Sequence, residues 1–279
     1  MINNSMHAYR DRLACIDLPK ERSRTVFDNR AHVLRANGRN VLDEILENLS
    51  LSPSDEVLIT NSSGQRYISG CVTCTVFNHC KPTRVPSDRV KAIILIHEYG
   101  VPHPRTTHFV EWGRERGIPV IEDCAHSIDS SIHGKPIGSF GDYALFSLAK
   151  VTPSDCGGAL VADDVSAFAK TAPELKKVEG ILQESLKSLA WFSRRRRECF
   201  NYLLNAFPRY KPFFQLDDSI VPFFVGLHFP LAGRVRQISN EVNWGSTFIE
   251  DLLLVPTNPL IEPEELAQAI ERAVSQLSR

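Results

Sequence analysis

An α/β fold built on a mostly parallel sheet is what this sequence predicts, and three observations carry that prediction. Short apolar runs recur at residues 56–60, 90–97, 118–121 and 143–148, each of strand length. Helix-length stretches alternate with them from residue 40 to 124, the spacing of helical crossovers between parallel strands. Two of the runs end in ionisable side chains, Glu122-Asp123 and Ser147 to Lys150. Open α/β sheets bind their ligands beyond such strand ends. At 279 residues and 43% hydrophobic, the chain can form a large domain and a small appendage.

Taken in order, residues 1–36 have mixed polarity and weak periodicity, and are expected to form an extended or irregular arm that packs on a partner subunit. Asn37-Gly38-Arg39-Asn40 then opens an amphipathic helix with Val41, Leu42, Ile45, Leu46 and Leu49 on one face. A glycine turn feeding a helix N-terminus suits an anion, because unpaired N–H groups and the dipole favour negative charge. An ordinary loop fits those residues equally well. Residues 56–60 read as a buried strand after the turn Ser52-Pro53-Ser54-Asp55, and residues 67–80 as a helix.

Cys71-x-x-Cys74 with His79 and Cys80 looks like a metal or redox cluster. On a helix, Cys71 and Cys74 share a face while His79 and Cys80 fall elsewhere, so no closed metal site is expected. The favoured reading is of small buried cysteines packing the helix on the sheet.

Residues 90–97 give the next buried strand, with a turn at Glu98-Tyr99-Gly100. A helix over residues 105–116 follows, its contacts being Phe109, Val110 and Trp112, and Gly117-Ile118-Pro119 ends it. Gly157-Gly158 precedes a further strand at 159–162. Residues 165–193 are expected to be mostly helical, with Leu175, Val178, Ile181, Leu182, Leu186 and Leu189 on one face. The run Arg194-Arg195-Arg196-Arg197 reads as a solvated helix face. From Pro208 a Pro- and aromatic-rich stretch leads into a small domain: a strand at 221–227, a helix at 231–242, a strand, and a closing helix with Pro263 in its first turn. The expected division is arm 1–36, large domain 37–207 and small domain 208–279.

A formal net charge of -1 excludes a global field for nucleic acid or acidic membranes. No run is long enough to span a bilayer, and the first twenty residues lack the apolar core of a signal peptide. Seven scattered cysteines fit reduced thiols. A soluble cytoplasmic protein is expected.

The order VIEDCAHS, GKPIGSFGDYALFSLAK, GGALVADD resembles the DegT/DnrJ/StrS family of pyridoxal-phosphate (PLP) enzymes, mostly nucleotide-sugar aminotransferases. The resemblance runs from about residue 37 to the end and is densest in the middle. It implies PLP-dependent transferase fold type I, like aspartate aminotransferase, with a mixed, mostly parallel sheet flanked by helices and a reduced C-terminal domain. It further implies PLP as cofactor, a small-molecule amino donor, a keto acceptor such as a nucleotide sugar, and a homodimer with the site at its interface.

Carried over residue by residue, Lys150 becomes the amine that forms a Schiff base with PLP, and Asp123 the carboxylate that keeps the pyridine nitrogen protonated. His126 is placed beside the ring, Ser147 on the phosphate, Gly38 and Arg39 in the phosphate turn, and Tyr67 against the ring face. Each has a plainer role available: a surface lysine, an aspartate capping the next turn, a structural histidine, a backbone-bonded serine. The family's dehydratases carry histidine at the lysine position, so Lys150 points to transamination.

The sequence also departs from the pattern. Ser147 and Lys150 are three apart where most members have two further residues between them, and the G-x-N-x-R-M segment has no counterpart between 165 and 215. A non-catalytic relative acting as a binding or regulatory protein, or a PLP enzyme of racemase or eliminase type, remain the alternatives.

Overall fold

The structure, a computed structural model, describes residues 18–152, 156–168, 175–229, 234–242 and 246–277. It divides into two compact units, Ser23–Leu186 and Lys187–Arg279, the second also taking the residues up to Arg22. No helix among the described residues is long and apolar enough to cross a membrane.

In the first unit the elements are β1 (Ala31–Arg35), α1 (Gly38–Asn48), β2 (Glu56–Asn61), α2 (Gly70–His79), β3 (Lys81–Thr83), β4 (Val90–Ile96), α3 (Thr106–Arg116) and β5 (Val120–Asp123). A two-stranded hairpin, β6 (Ser131–Ile132) and β7 (Lys135–Pro136), precedes β8 (Tyr143–Ser147), the single-turn α4 (Leu148–Val151), β9 (Gly158–Ala162) and α5 (Lys176–Lys187).

Seven strands form one sheet in the order β1-β9-β8-β5-β4-β2-β3. The five from β8 to β3 are parallel, while β9 runs antiparallel to both its neighbours. The strand period sorts side chains between the two faces. Val57, Ile59, Ala92, Ile94 and Ile96 join Val41, Leu42, Ile45 and Leu46 of α1 and Val72 and Val76 of α2 in one core. Leu58, Val90, Ile93 and Leu95 face the other way, against Phe109 of α3.

Helix α1 starts where the sequence predicts because Asn37 caps it, its side chain accepting from Asn40 N. Helix α3 stops at Gly117, whose φ of 61° is the left-handed conformation that glycine adopts without strain.

Three expectations need correction here. The N-terminal arm lies partly outside the described residues (1–17), but residues 31–35 are an edge strand of the main sheet, paired with β9 from Ala31↔Ala162 to Arg35↔Gly158. Five residues at an edge carry too short an alternation to stand out in the sequence. The expected helix over 67–80 begins only at Gly70, capped by Ser69. Finally, Cys71 and Cys74 are exposed rather than packed on the sheet; Cys80 alone of that group is buried.

The second unit holds α6 (Leu189–Ala206), β10 (Lys211–Pro212), β11 (Phe224–His228), α7 (Val235–Val242), β12 (Thr247–Ile249), β13 (Leu252–Pro256) and α8 (Pro263–Leu277). Its antiparallel sheet runs β10-β11-β13-β12. Cys199, Phe200 and Leu203 of α6 share a core with Val225, Leu227, Val235, Ile238, Leu253, Val255, Leu266 and Ile270. The helix expected over 165–193 is thus two helices separated at Ser188, with residues 169–174 outside those described. Of the helix expected from residue 231, the described part starts at Val235.

The arginine run is not a solvated face. Arg196 is buried and donates to Thr257 O at 2.8 Å, and Arg197 donates to the carbonyls of Ile220 and Asp218. Arg195 pairs with Glu262 and Glu198, and Arg194 with Glu21. Arginine's fork of donors ties α6 to three loops of its own unit, a use that a count of charges does not reveal.

Candidate active site

The parallel strands end together. Ile96 pairs with Asp123 and Asp123 with Leu145, so β4, β5 and β8 deliver His97, Asp123 and Ser147 to the same edge of the sheet. Beyond it, Leu148 N bonds Gly157 O and Thr152 N bonds Leu148 O, which closes the single turn that carries Lys150. Gly157 sits at φ +108°, where a side chain is strained and a Cβ would lie 2.7 Å from Val178.

Lys150 Nζ lies 3.2 Å from His126 Nε2. His126 Nδ1 in turn accepts from the backbone N–H of Tyr99 at 3.1 Å. A neutral imidazole whose Nδ1 accepts must carry its proton on Nε2. That proton points at Lys150, and an ammonium has no lone pair to receive it. The contact therefore selects the neutral amine. The charge balance agrees: the crowding of protein around the amine lowers the Lys150 pKa, against opposing pulls from Asp123 and Cys71, although the residue as a whole keeps an exposed surface.

Asp123 is buried, and its Oδ1 accepts from Ala125 N at 3.0 Å. Burial pushes its carboxyl up, opposed by Lys150, the Ala125 N–H and His97. Glu98 is also buried, and desolvation raises it too, with the Asp123 charge adding to the rise. The Ser63 hydroxyl donates to its carboxylate. Two buried carboxyls without enough positive charge nearby form a floor that would welcome a cation.

Tyr99, absent from the sequence-based candidates, lies parallel to the His126 ring with centroids 6.2 Å apart. Its φ of 61° is rare for a tyrosine and holds its N–H on His126. Nothing in the residue string announces a left-handed tyrosine.

The anion cradle also takes shape. A Cβ at Gly38 would sit 3.4 Å from Ser147 Cβ, so the N-terminus of α1 lies directly over Ser147. Asn40 N and Val41 N are bonded to Asn37, which leaves Gly38 and Arg39 as the first-turn N–H groups ahead of the helical ladder. Ser147 is half-buried and its hydroxyl does not cap α4. Gly158 allows this approach, since its Cβ would fall 2.4 Å from Asn37 C. Gly158→Ala is expected to cost about 1–3 kcal/mol by forcing the turn away, measurable by urea unfolding.

Two residues named from the sequence stand apart. Arg39 donates to Cys71 Sγ at 3.0 Å rather than into the group around Lys150. Tyr67 is 56% exposed in the loop before α2; its link to the site is an electrostatic one with the Tyr99 phenol.

Behind the site lies a buried network that sequence reasoning missed. Glu122 is fully buried and accepts from His97 Nε2 and from the N–H groups of Gly138, Phe140 and Gly141. Burial alone would raise its pKa, but His97 and these N–H groups outweigh it and hold the carboxyl below the usual range. Arg30 grips the same loop from its carbonyl side, donating to the oxygens of Gly138, Gly141 and Asp142. His97, Glu122 and Cys124 are close enough together to suggest a metal trio, yet Glu122 is already occupied by four donors.

His97 Nδ1 accepts from His103 N, and His103 Nδ1 from Arg105 N, leaving His103 Nε2–H for the Thr60 hydroxyl. Burial lowers the His103 pKa to about 4 from an ordinary 6.5, aided by His97 and the nearby arginines. The unfolded chain then binds more protons between these two values, so stability is full above pH 6.5 and falls as pH drops towards 4. His103→Asn is expected to remove about 1–3 kcal/mol of that acid sensitivity, read from unfolding midpoints at pH 7 and pH 4.5.

Comparison with known proteins meets this geometry. A sequence model of the DegT/DnrJ/EryC1/StrS aminotransferase family matches residues 82–178, which run from β3 through the Lys150 turn into α5.

The relatives that match part of this chain include sugar aminotransferases. GDP-perosamine synthase of Escherichia coli O157:H7 is 31% identical over 153 residues, 48% of this chain and 40% of that protein. The match thus covers well under two thirds of the relative's length. Among solved structures, the aminotransferase TlmJ from Streptoalloteichus hindustanus superposes with a TM-score of 0.71 at 18% identity, covering 88% of this chain and 86% of that one. Spr1654 from Streptococcus pneumoniae, solved in a PLP form, gives a TM-score of 0.64 at 14% identity, covering 99% and 96%. These likenesses establish the type I fold, with its mixed, mostly parallel sheet flanked by helices.

Proposed function

We propose that this chain is a PLP-dependent aminotransferase acting on a keto-sugar, with Lys150 as its working amine. The observation that carries the reading is the contact of Lys150 Nζ with a proton-bearing His126 Nε2, within electrostatic reach of a buried Asp123, at the C-terminal ends of the parallel strands.

The donor set fits PLP. Asp123 is the buried carboxylate that would hold the ring nitrogen, and its upward shift is relieved by a cation there. His126 and Tyr99 would flank the ring, while Ser147 and the N–H groups of Gly38 and Arg39 would receive the phosphate at a helix N-terminus. Tyr67 stays a weaker candidate for the ring face. When bound, PLP supplies an electron sink that makes a neighbouring C–H acidic.

The chain's own part is proton handling. Lys150, neutral against His126, can take a proton at Nζ from one atom and return it two atoms along. His126 keeps the amine oriented, and the Tyr99 N–H fixes the tautomer that lets it do so. Asp123 and Glu98 bias the floor towards positive charge.

Named relatives act on sugars, one as a GDP-perosamine synthase and another on a dTDP-4-dehydro sugar, and this supports a nucleotide-linked keto-sugar as acceptor with an amino acid as donor. We place the protein in the cytoplasm as a homodimer. The test is amine transfer from L-glutamate or L-glutamine to a nucleotide 4-keto-sugar in the presence of PLP. Amino-sugar formation by mass spectrometry is expected; no product with either donor across several keto-sugars would overturn the reading.

A further inference from the structure

The Cys71-x-x-Cys74 pair is used neither by the core nor by the chemistry around Lys150. Both side chains are exposed and lie in the first turns of α2, whose N-cap Ser69 accepts from Cys71 N. Three residues apart on a helix, their Cα atoms are separated by about 5 Å, inside the range that a disulfide spans. Arg39, reaching from the first turn of α1, donates to Cys71 Sγ at 3.0 Å.

We propose that Cys71 and Cys74 form a reversible dithiol–disulfide site, with Cys71 as the attacking thiolate and Arg39 as the group that holds it.

Three features support that assignment over a pair of idle surface thiols. A guanidinium bonded to sulfur favours the anion, as does a helix N-terminus. The Arg39 bond accordingly lowers the Cys71 pKa, with burial opposing and Ser69 assisting. Arg39 feels both sulfurs, since Cys71 and Cys74 each raise its own pKa. Cys80, the remaining cysteine of α2's end, is buried and pushed up to about 11, so it stays a poor competitor.

The chemistry balances with a low-molecular-weight disulfide as oxidant. The Cys71 thiolate attacks one sulfur of that disulfide, forming a mixed disulfide and expelling one small thiolate. Cys74, giving its proton to solvent, attacks the Cys71 sulfur and expels the second. Two protein thiols are oxidised, and the small disulfide is reduced to two thiols. Closure also takes the negative sulfur away from Arg39 and releases the guanidinium at the turn beside Ser147. The inference stands without PLP.

The test uses the full chain with oxidised glutathione, followed by peptide mapping and by iodoacetamide labelling at pH 7. Wild type is expected to yield a Cys71–Cys74 disulfide reversed by dithiothreitol, with fragment ions separating Cys74 from Cys80. Cys74→Ser should stop at a glutathione adduct on Cys71. In the reduced protein Cys71 should label faster than exposed Cys156. Arg39→Gln should slow that labelling by about threefold or more. The proposal falls if Cys71 and Cys74 stay reduced while Cys156 reacts, or if Arg39→Gln leaves the Cys71 rate unchanged.

Discussion

Lys150→Ala should reduce kcat for amine transfer by about 10³-fold or more, because it removes both the amine and the proton carrier at one stroke. The fold should survive. Lys150 sits on a one-turn helix held by backbone bonds, Leu148 N to Gly157 O and Thr152 N to Leu148 O, none of which uses its side chain. Unchanged circular dichroism with activity lost would therefore locate the effect in the chemistry. His126→Gln should act through the same amine and more mildly, since a glutamine can still donate to Nζ. The Lys150→Ala protein should keep affinity for PLP through Asp123, Ser147 and the α1 turn, so KM and kcat will part company. A kcat within tenfold of wild type would mean that another group carries the proton.

Glu122→Ala is the second large effect, and it lands on stability. The carboxylate satisfies four donors in a fully buried position: one histidine and three loop N–H groups. Truncation strands all four without water to replace it, a loss of about 3–5 kcal/mol. Glu122→Gln should recover little of this, because its amide turns N–H groups towards donors. For contrast, truncating Arg194 of the exposed Arg194–Glu21 pair should leave stability almost unchanged. Urea unfolding of the three variants at pH 7 checks both expectations. A Glu122→Ala loss below about 1 kcal/mol would mean that the loop of residues 138–141 is not held by that carboxylate.

The strand ends were legible because a parallel sheet writes them plainly. Apolar runs that stop at Asp123, Ser147 and His97 gave the β5, β8 and β4 termini to within a residue or two. The helix of residues 38–48 was equally open, its apolar period and its Asn37 cap both being local. What stayed hidden depends on long-range register. Glu122 and Asp123 are adjacent in sequence, but strand alternation sends one into the core behind the sheet and leaves the other with Lys150. Tyr99 becomes a partner of His126 through a backbone angle, and Arg30 reaches a loop more than a hundred residues away. The arginine run misled because its four charges face four different partners, which a linear count cannot show. The division of the second unit at Lys187 was hidden for a related reason: α6 carries its core contacts on Cys199, Phe200 and Leu203, well before the Pro-rich stretch that looks like a linker.

The most direct measurement is to add PLP to the purified protein, reduce with borohydride, and map the modified peptide by mass spectrometry. The account predicts a phosphopyridoxyl group on Lys150 in wild type, none at that peptide in Lys150→Ala, and weakened labelling in Asp123→Asn. Labelling spread over surface lysines, unchanged by Lys150→Ala, would contradict it and leave a type I fold that does not use this amine.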